Sequence, residues 1–193
     1  MEFYNVMKFL HVLTVVFMAA PLYNLIVVNE RVRFGKAPLP VDRYFESIIR
    51  GNSTRCFVFQ LTALVTGIIL IPVGGHPLTA LVTNWVLLAK LLLLITLSVL
   101  LSWVHLGIQP RIDGLLSRVQ TEVIPPDLAG EIAPLRGRRK RLAATCLFLV
   151  IVTVLLGAQV FTRFSPAVTV GLILLAALFA WRVYTSHIPY GWV

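Results

Sequence analysis

The sequence predicts an all-α integral membrane protein in which five transmembrane helices form a helical bundle. Of its 193 residues, 58% are hydrophobic and only 13% are charged, a composition typical of chains that cross a membrane several times. Five apolar stretches are long enough to span a bilayer, and they lie at residues 4–28, 55–73, 80–108, 142–161 and 166–184. We therefore expect residues 1–193 to form a single membrane domain.

The basic residues predict how the bundle is oriented. Residues 29–55 contain six Lys and Arg side chains and residues 109–141 contain seven, whereas the short links around His76 and Arg163 contain almost none. Basic connections remain in the cytoplasm, so the N-terminus is predicted to lie outside and the C-terminus inside. This pattern indicates a multi-pass protein of the inner (plasma) membrane. The net charge of +9 does not indicate nucleic-acid binding, because the charges lie in short loops between apolar spans.

The first span carries Lys8 and His11, which are three residues apart and therefore share a helix face. Pro21 is expected to kink this span because proline removes a backbone donor. In the following loop, a short interfacial helix is predicted from Asp42, as N-cap, to Gly51, as its end.

The second span contains Thr62, Thr66 and Gly67, a small-residue face suited to close helix packing. A tight turn at residues 74–78, which contains His76, leads into the third span. Because this turn is short, the second and third spans are expected to be antiparallel neighbours.

Lys90 is the one formal charge in the third span, and His105 follows fifteen residues later. At about 100° and 1.5 Å per residue, the two side chains lie within about 60° of each other and roughly 22 Å apart along the helix. A lysine at membrane depth costs on the order of a few kcal/mol unless it is paired, hydrated or able to snorkel to an interface.

The second basic loop is predicted to contain another interfacial helix at residues 111–123, which Pro125 and Pro126 end. A basic hexamer, RGRRKR at residues 136–141, then precedes the fourth span. Such a cluster is expected to anchor the topology and to contact anionic lipid, through Arg136, Arg138, Arg139, Lys140 and Arg141.

The predicted orientation sorts the candidate ligands by membrane side. His11 lies roughly 10 Å inside the outer end of its span, and it could converge with Lys90 and His76. A haem b bound there needs one or two axial ligands, for which the candidates are His11 and, opposite it, His76 or another group. Its propionates need a cation, for which Lys8 and Lys90 are candidates. At the inner side, His105 is a second candidate metal ligand, with His187 or solvent opposite.

Other chemistries find little support in the residues. No acidic residue lies inside a predicted span, which argues against a carboxylate proton relay or a cation transporter. Cys56 and Cys146 form no CxxC or cysteine–histidine cluster, so iron–sulfur, structural zinc and covalent haem sites are not indicated.

Three segments resemble the CopD and HemJ-like superfamily of small membrane proteins: MKFLHVL at residues 7–13, LTALVTGIIL at 61–70 and NWVLLAKLLLLITLSVLLSWVH at 84–105. The HemJ branch implies haem b binding and protoporphyrinogen IX oxidation, with His11 as ligand and Lys90 as the third-span lysine. The CopD branch implies copper handling across the membrane.

Three functions thus remain open. The chain is expected to be a b-type haem protein for electron transfer or porphyrin oxidation, a cofactor-free accessory subunit of a larger respiratory or photosynthetic complex, or a permease for copper or another small solute. The soft Met and Cys clusters that favour copper are missing from the sequence.

Overall fold

The computed structural model describes residues 2–29, 38–160 and 164–185, and within these residues it contains helices and no strand. Five helical segments are long and apolar enough to cross a membrane, which confirms the number of spans predicted from the sequence. His187 and part of the first basic loop, residues 30–37, lie outside the described residues. The helices are α1 (Glu2–Asn29), α2 (Leu39–Val73), α3 (Ala80–Thr83), α4 (Trp85–Ser102), α5 (Gln109–Ser117), α6 (Pro126–Ala158) and α7 (Pro166–Thr185).

Helices α1, α2, α4 and α6 form the bundle, and α7 packs against α6 from outside it. Helix α6 is central, because it contacts α1, α4, α5 and α7. Aliphatic side chains from α1, α4 and α6 fill the interior at its middle, among them Met18, Leu22, Leu97, Leu147 and Val150. Most large apolar side chains of α7 are exposed, as expected of a helix in contact with lipid.

Three segments are longer than a membrane requires. Helix α2 has 35 residues, Trp85–Ser117 has 33 and α6 has 33, so each is about 50 Å long against a hydrocarbon core of about 30 Å. The excess lies at one end of the bundle, which we call the basic end (residues 38–54 and 109–141). There the helices share a second apolar core that includes Leu39, Ile108, Ile112, Leu116 and Ile132.

The two predicted interfacial helices do not exist as separate elements. Residues 42–51 belong to α2, which continues through Gly51 into the membrane span. Glycine costs only about 1 kcal/mol within a helix, and it ends one most effectively where a positive φ is needed. Among the described residues only Gly75 has a positive φ, of 79°.

The second predicted interfacial helix is likewise an extension of a span. A π-helical turn, Trp103–Ile108, joins α4 directly to α5. Pro110 accounts for this turn, because it lacks the amide hydrogen that would bind the carbonyl oxygen of Leu106 and its ring crowds that carbonyl. Pro126 is the first residue of α6, a position that needs no amide donor. Because α6 runs from Pro126 to Ala158, the basic hexamer at residues 136–141 lies within this helix.

The third predicted span, residues 80–108, is interrupted near its start. Helix α3 ends at Thr83, and Asn84 begins α4 by accepting a hydrogen bond from the amide of Val86, at 3.0 Å, on its side-chain oxygen. Asparagine is among the most favoured N-cap residues because its side chain satisfies an amide that lacks a partner within the helix. The membrane-spanning helix therefore begins at Trp85.

Candidate functional site

His11 faces α2 from the N-terminal half of α1. Its Nδ1 lies 2.9 Å from Oγ1 of Thr66, and that hydroxyl donates to the carbonyl oxygen of Thr62 at 2.7 Å. A hydroxyl has one hydrogen to donate, so Thr66 accepts the bond from Nδ1–H. With the proton on Nδ1, the neutral imidazole keeps its lone pair on Nε2.

Gly67 allows this close approach of α1 and α2. A Cβ atom at that position would lie 3.3 Å from Cε1 of His11, which is tighter than ordinary van der Waals contact. The small-residue face predicted for the second span thus includes two residues, Thr66 and Gly67, that hold the imidazole from its Nδ1 side.

Lys90 of α4 turns toward the interior of the bundle. Its Nζ lies so near α6 that a Cβ atom at Gly157 would be 3.3 Å away, and its side chain is half-buried. The structure shows no hydrogen bond or ion pair for Lys90 within residues 2–29, 38–160 and 164–185.

Two polar side chains therefore lie inside the bundle, His11 between α1 and α2 and Lys90 between α4 and α6. Helix α1 supplies His11, α2 supplies Thr66, α4 supplies Lys90, and α6 supplies Gly157, the glycine beside the ammonium group. We call this group of residues the interior site. It presents an imidazole lone pair and a cation, which together suit a ligand that carries both a metal ion and a negative charge.

The other outer candidates do not join this site. His76 is exposed in the turn that follows α2, and Lys8 is exposed on α1, nearly one helical turn before His11. The structure shows no contact of His76 with His11 or Lys90 among the described residues, because the turn holds His76 at the surface.

His105 occupies a separate position near the basic end. It lies in the π-helical turn, where its ring meets Phe57 of α2 edge-on with centroids 5.8 Å apart. Its Nδ1 atom is buried and has no hydrogen-bond partner in the described part of the chain. Lys90 contacts α6 and His105 contacts α2, so the two side chains do not face one common site.

No protein-only metal centre is evident in the described ranges, since they contain no group of three or more His, Cys, Asp or Glu side chains that could hold a metal ion. His11 and His105 lie at different ends of the bundle and would act as single ligands. A metal at either position would need most of its ligands from another molecule, as iron in a haem obtains four from the porphyrin.

A buried polar network at the basic end was not predicted from the sequence. Arg139 has no exposed surface, and its guanidinium donates to Glu46 Oε2 and to Gln109 Oε1, both at 2.6 Å, and to Glu46 Oε1 at 3.1 Å. Gln109 in turn donates to Glu46 Oε2 at 3.0 Å. One residue each from α2, α5 and α6 thus forms the centre of the network.

Further ion pairs surround this centre. Arg136 pairs with Asp42 and, at 3.0 Å, with Glu46. Asp113 accepts from Gln109 at 3.2 Å and pairs with Arg50 at 2.6 Å. The spacing of Asp42 and Glu46, four residues apart on one helix face, was the only sequence signal for these contacts.

The network corrects the role expected of the basic hexamer. Arg139 cannot contact anionic lipid because its side chain is fully buried, and Arg136 is largely buried against carboxylates. Arg138 and Arg141 are exposed, so contact with lipid remains a prediction for them. Two hexamer side chains also bind the end of α7, where Arg141 donates to the Tyr184 hydroxyl at 3.0 Å and Lys140 lies 5.7 Å from the Tyr184 ring centroid.

The fold and the interior site define a class, a helical protein with five membrane-length helices that carries His11 and Lys90 inside the bundle. Comparison with family models, with curated proteins and with solved structures gives no match for this chain. The resemblance to the CopD and HemJ-like superfamily therefore remains a prediction from the sequence.

Proposed function

We propose that this chain is a b-type haem-binding membrane protein in which His11 is an axial ligand and Lys90 binds a haem propionate. The observation that carries the proposal is the hydrogen bond from Nδ1 of His11 to Thr66, 2.9 Å long. Metal-binding histidines almost always donate their second ring N–H to a fixed partner, which orients the ring and selects the tautomer. Thr66 does both for His11 and directs the lone pair to Nε2.

Lys90 supports the negative charge that a haem brings. A cation in the membrane interior normally pairs with another group or faces water, yet no described residue forms an ion pair with this ammonium. The propionate groups of haem b are carboxylates, and a carboxylate beside Lys90 would satisfy it. The same ligand would thus engage both polar side chains of the interior site.

His11 and Lys90 are the side chains that a haem with one protein ligand would use. Bound haem b supplies an iron that accepts and releases one electron. His11 would hold the iron, and the bond from Nδ1–H to Thr66 would raise the basicity of the imidazole. Lys90 would offset a propionate charge, and the surrounding apolar side chains would exclude water. We place electron transfer or porphyrin oxidation second to haem binding, since the geometry bears on the ligand more directly than on a reaction.

The experiment is the reduced-minus-oxidised absorption spectrum of the purified protein beside three variants. The wild type is expected to show a haem α-band that His11→Ala abolishes. Thr66→Val keeps the side-chain volume and removes the acceptor, so we expect haem affinity to fall about 10- to 100-fold. Lys90→Met should weaken binding while keeping the α-band.

His105→Ala is the matched control for a histidine outside the interior site, and it should leave the spectrum unchanged. A colourless wild type after expression with added haem would overturn the proposal. A band that survives His11→Ala but disappears in His105→Ala would move the haem to the π-helical turn. The accessory-subunit function would then be favoured only in the colourless case, and co-purification would be its test.

A further inference from the structure

A groove runs between α2 and α4 on the outer surface of the bundle. Its volume is about 440 Å³, which lies within the range of about 300–1,000 Å³ that small-molecule sites occupy. Leu61, Ile95 and Val99 form its exposed rim, with half or more of each side chain accessible. Because these residues belong to the membrane-spanning parts of both helices, the groove opens toward lipid.

The floor of the groove is polar, which lipid tails do not require. Gln60 is 7% exposed and lines the groove together with Ser98 and Ser102. The hydroxyl of Ser98 lies 2.9 Å from Oε1 of Gln60 and 3.0 Å from the carbonyl oxygen of Leu94, and this contact holds the amide in the gap between the two helices. Gln60 lies five residues beyond Arg55, so it is about 8 Å inside its predicted span.

The amide nitrogen of Gln60 needs an acceptor at this depth. With the amide oxygen toward Ser98, the structure shows no acceptor for the amide N–H groups of Gln60 within the described residues. An amide donor left unsatisfied in hydrocarbon costs on the order of a few kcal/mol. Acyl chains offer no acceptor, and water is scarce there. The chemistry that fits is a lipid-soluble molecule with a carbonyl oxygen.

The shape of the site narrows that chemistry further. Phe57 at the basic end of the groove offers an aromatic ring, and the walls are formed by the aliphatic side chains of Leu64, Leu91 and Leu94. A flat ring that carries carbonyl oxygens and an apolar tail matches such a lining, since the ring packs on apolar walls and the tail follows the groove into the membrane.

We propose that the groove between α2 and α4 binds a membrane quinone, with the Gln60 amide donating to a quinone carbonyl oxygen. This site is separate from the interior site, because it lies on the lipid-facing side of α2 and α4. The proposal does not depend on haem binding, and the spectrum of the haem does not test it.

The test uses the purified full-length protein in detergent and decylubiquinone as the probe. Binding is measured by equilibrium dialysis, and an azido derivative of the same quinone locates the contact by photolabelling and peptide mapping. We expect saturable binding, with the label on residues 57–64 and 91–102. Gln60→Leu should weaken binding at least tenfold, because it removes the donor at nearly unchanged volume.

Thr96→Val is the matched control on α4. Thr96 is exposed, its hydroxyl bonds only to the Leu92 carbonyl within its own helix, and it does not line the groove. The Thr96→Val variant should bind decylubiquinone with the affinity of the wild type. Size-exclusion chromatography shows whether each variant is folded.

A second measurement on the wild type needs no variant. Decylbenzene has the ring and the tail but lacks both carbonyl oxygens, so it should compete poorly with the quinone. Equal competition would overturn the proposal, because the groove would then be only an apolar surface for lipid tails. Label outside the two segments, or equal affinity of Gln60→Leu and the wild type, would also overturn it.

Discussion

Arg139 and Glu46 form a two-point ion pair in the interior of the basic end, with Nη1–Oε2 and Nη2–Oε1 distances of 2.6 and 3.1 Å. Arg139 is 0% exposed and Glu46 is 3% exposed. A buried ion pair need not stabilise a fold relative to apolar residues, but loss of one partner leaves the other charged and desolvated. The pair joins two helices whose contacting residues are 93 positions apart.

Glu46→Gln should therefore lower the free energy of unfolding by about 3–5 kcal/mol. The thermal midpoint of the purified protein in detergent measures this change. Arg50→Ala is the matched control, because its bond to Asp113 is also 2.6 Å long but the Arg50 side chain is 58% exposed. Exposed pairs contribute about 0–1 kcal/mol, and equal losses in the two variants would contradict the buried network.

Gly51→Ala tests whether α2 is continuous. Nothing lies within 4 Å of a Cβ atom at Gly51, and the residue has no positive φ, so alanine should stabilise the protein by about 0.5–1 kcal/mol. Gly75→Ala should have the opposite effect, because φ at Gly75 is 79°. A lower thermal midpoint for Gly51→Ala would indicate that a helix ends there after all.

Gly67→Leu tests the contact of α2 with His11. The added side chain would meet the imidazole, since even its Cβ lies 3.3 Å from Cε1, and overpacking of this kind costs about 1–3 kcal/mol. Gly171→Leu is the control, because nothing lies within 4 Å of a Cβ there, and it should not destabilise the protein.

The double variant His11→Ala with Gly67→Leu shows whether the loss in Gly67→Leu arises from contact with the His11 ring. Removal of the ring makes room for the leucine, so the two losses should not add. Additive losses in thermal midpoint would show that Gly67 and His11 do not share a contact.

The orientation predicted from the basic residues is tested by cysteine labelling in intact cells. His76→Cys should react with a membrane-impermeant maleimide from outside, and Arg138→Cys only after permeabilisation. Cys56 and Cys146 are buried, so the wild type should give little background. The reverse pattern would invert the topology.

The number of spans was predictable because hydrophobicity summed over about twenty residues is a local property. The fate of Gly51 was not, because a glycine can end a helix or continue it, and here α2 continues into contacts with residues on α5 and α6. The break at Asn84 was also missed, because its apolar neighbours Val82 and Trp85 continue the hydrophobic pattern.

The interior site was predictable in part. The sequence singled out His11, Lys90 and the Thr66–Gly67 pair, and the structure places His11 against that pair and Lys90 beside Gly157. The sequence did not reveal that Lys90 turns inward. The space for the ammonium group is provided by Gly157, which follows sixty-seven residues later. His76 was placed at the correct end of the bundle, but its exposure depends on the conformation of the turn.

The network at the basic end also fixes how far three membrane spans can slide past one another. Movement of α6 along α2 by one helical turn, about 5.4 Å, would take Arg139 out of reach of Glu46 and leave both charges buried without partners. The buried network at the basic end, outside the hydrocarbon region, thereby holds α2, α4 and α6 at fixed positions along one another. When the bilayer thins or thickens, these three spans must respond by tilting together as one body, while α7, which packs mainly on α6, can adjust separately.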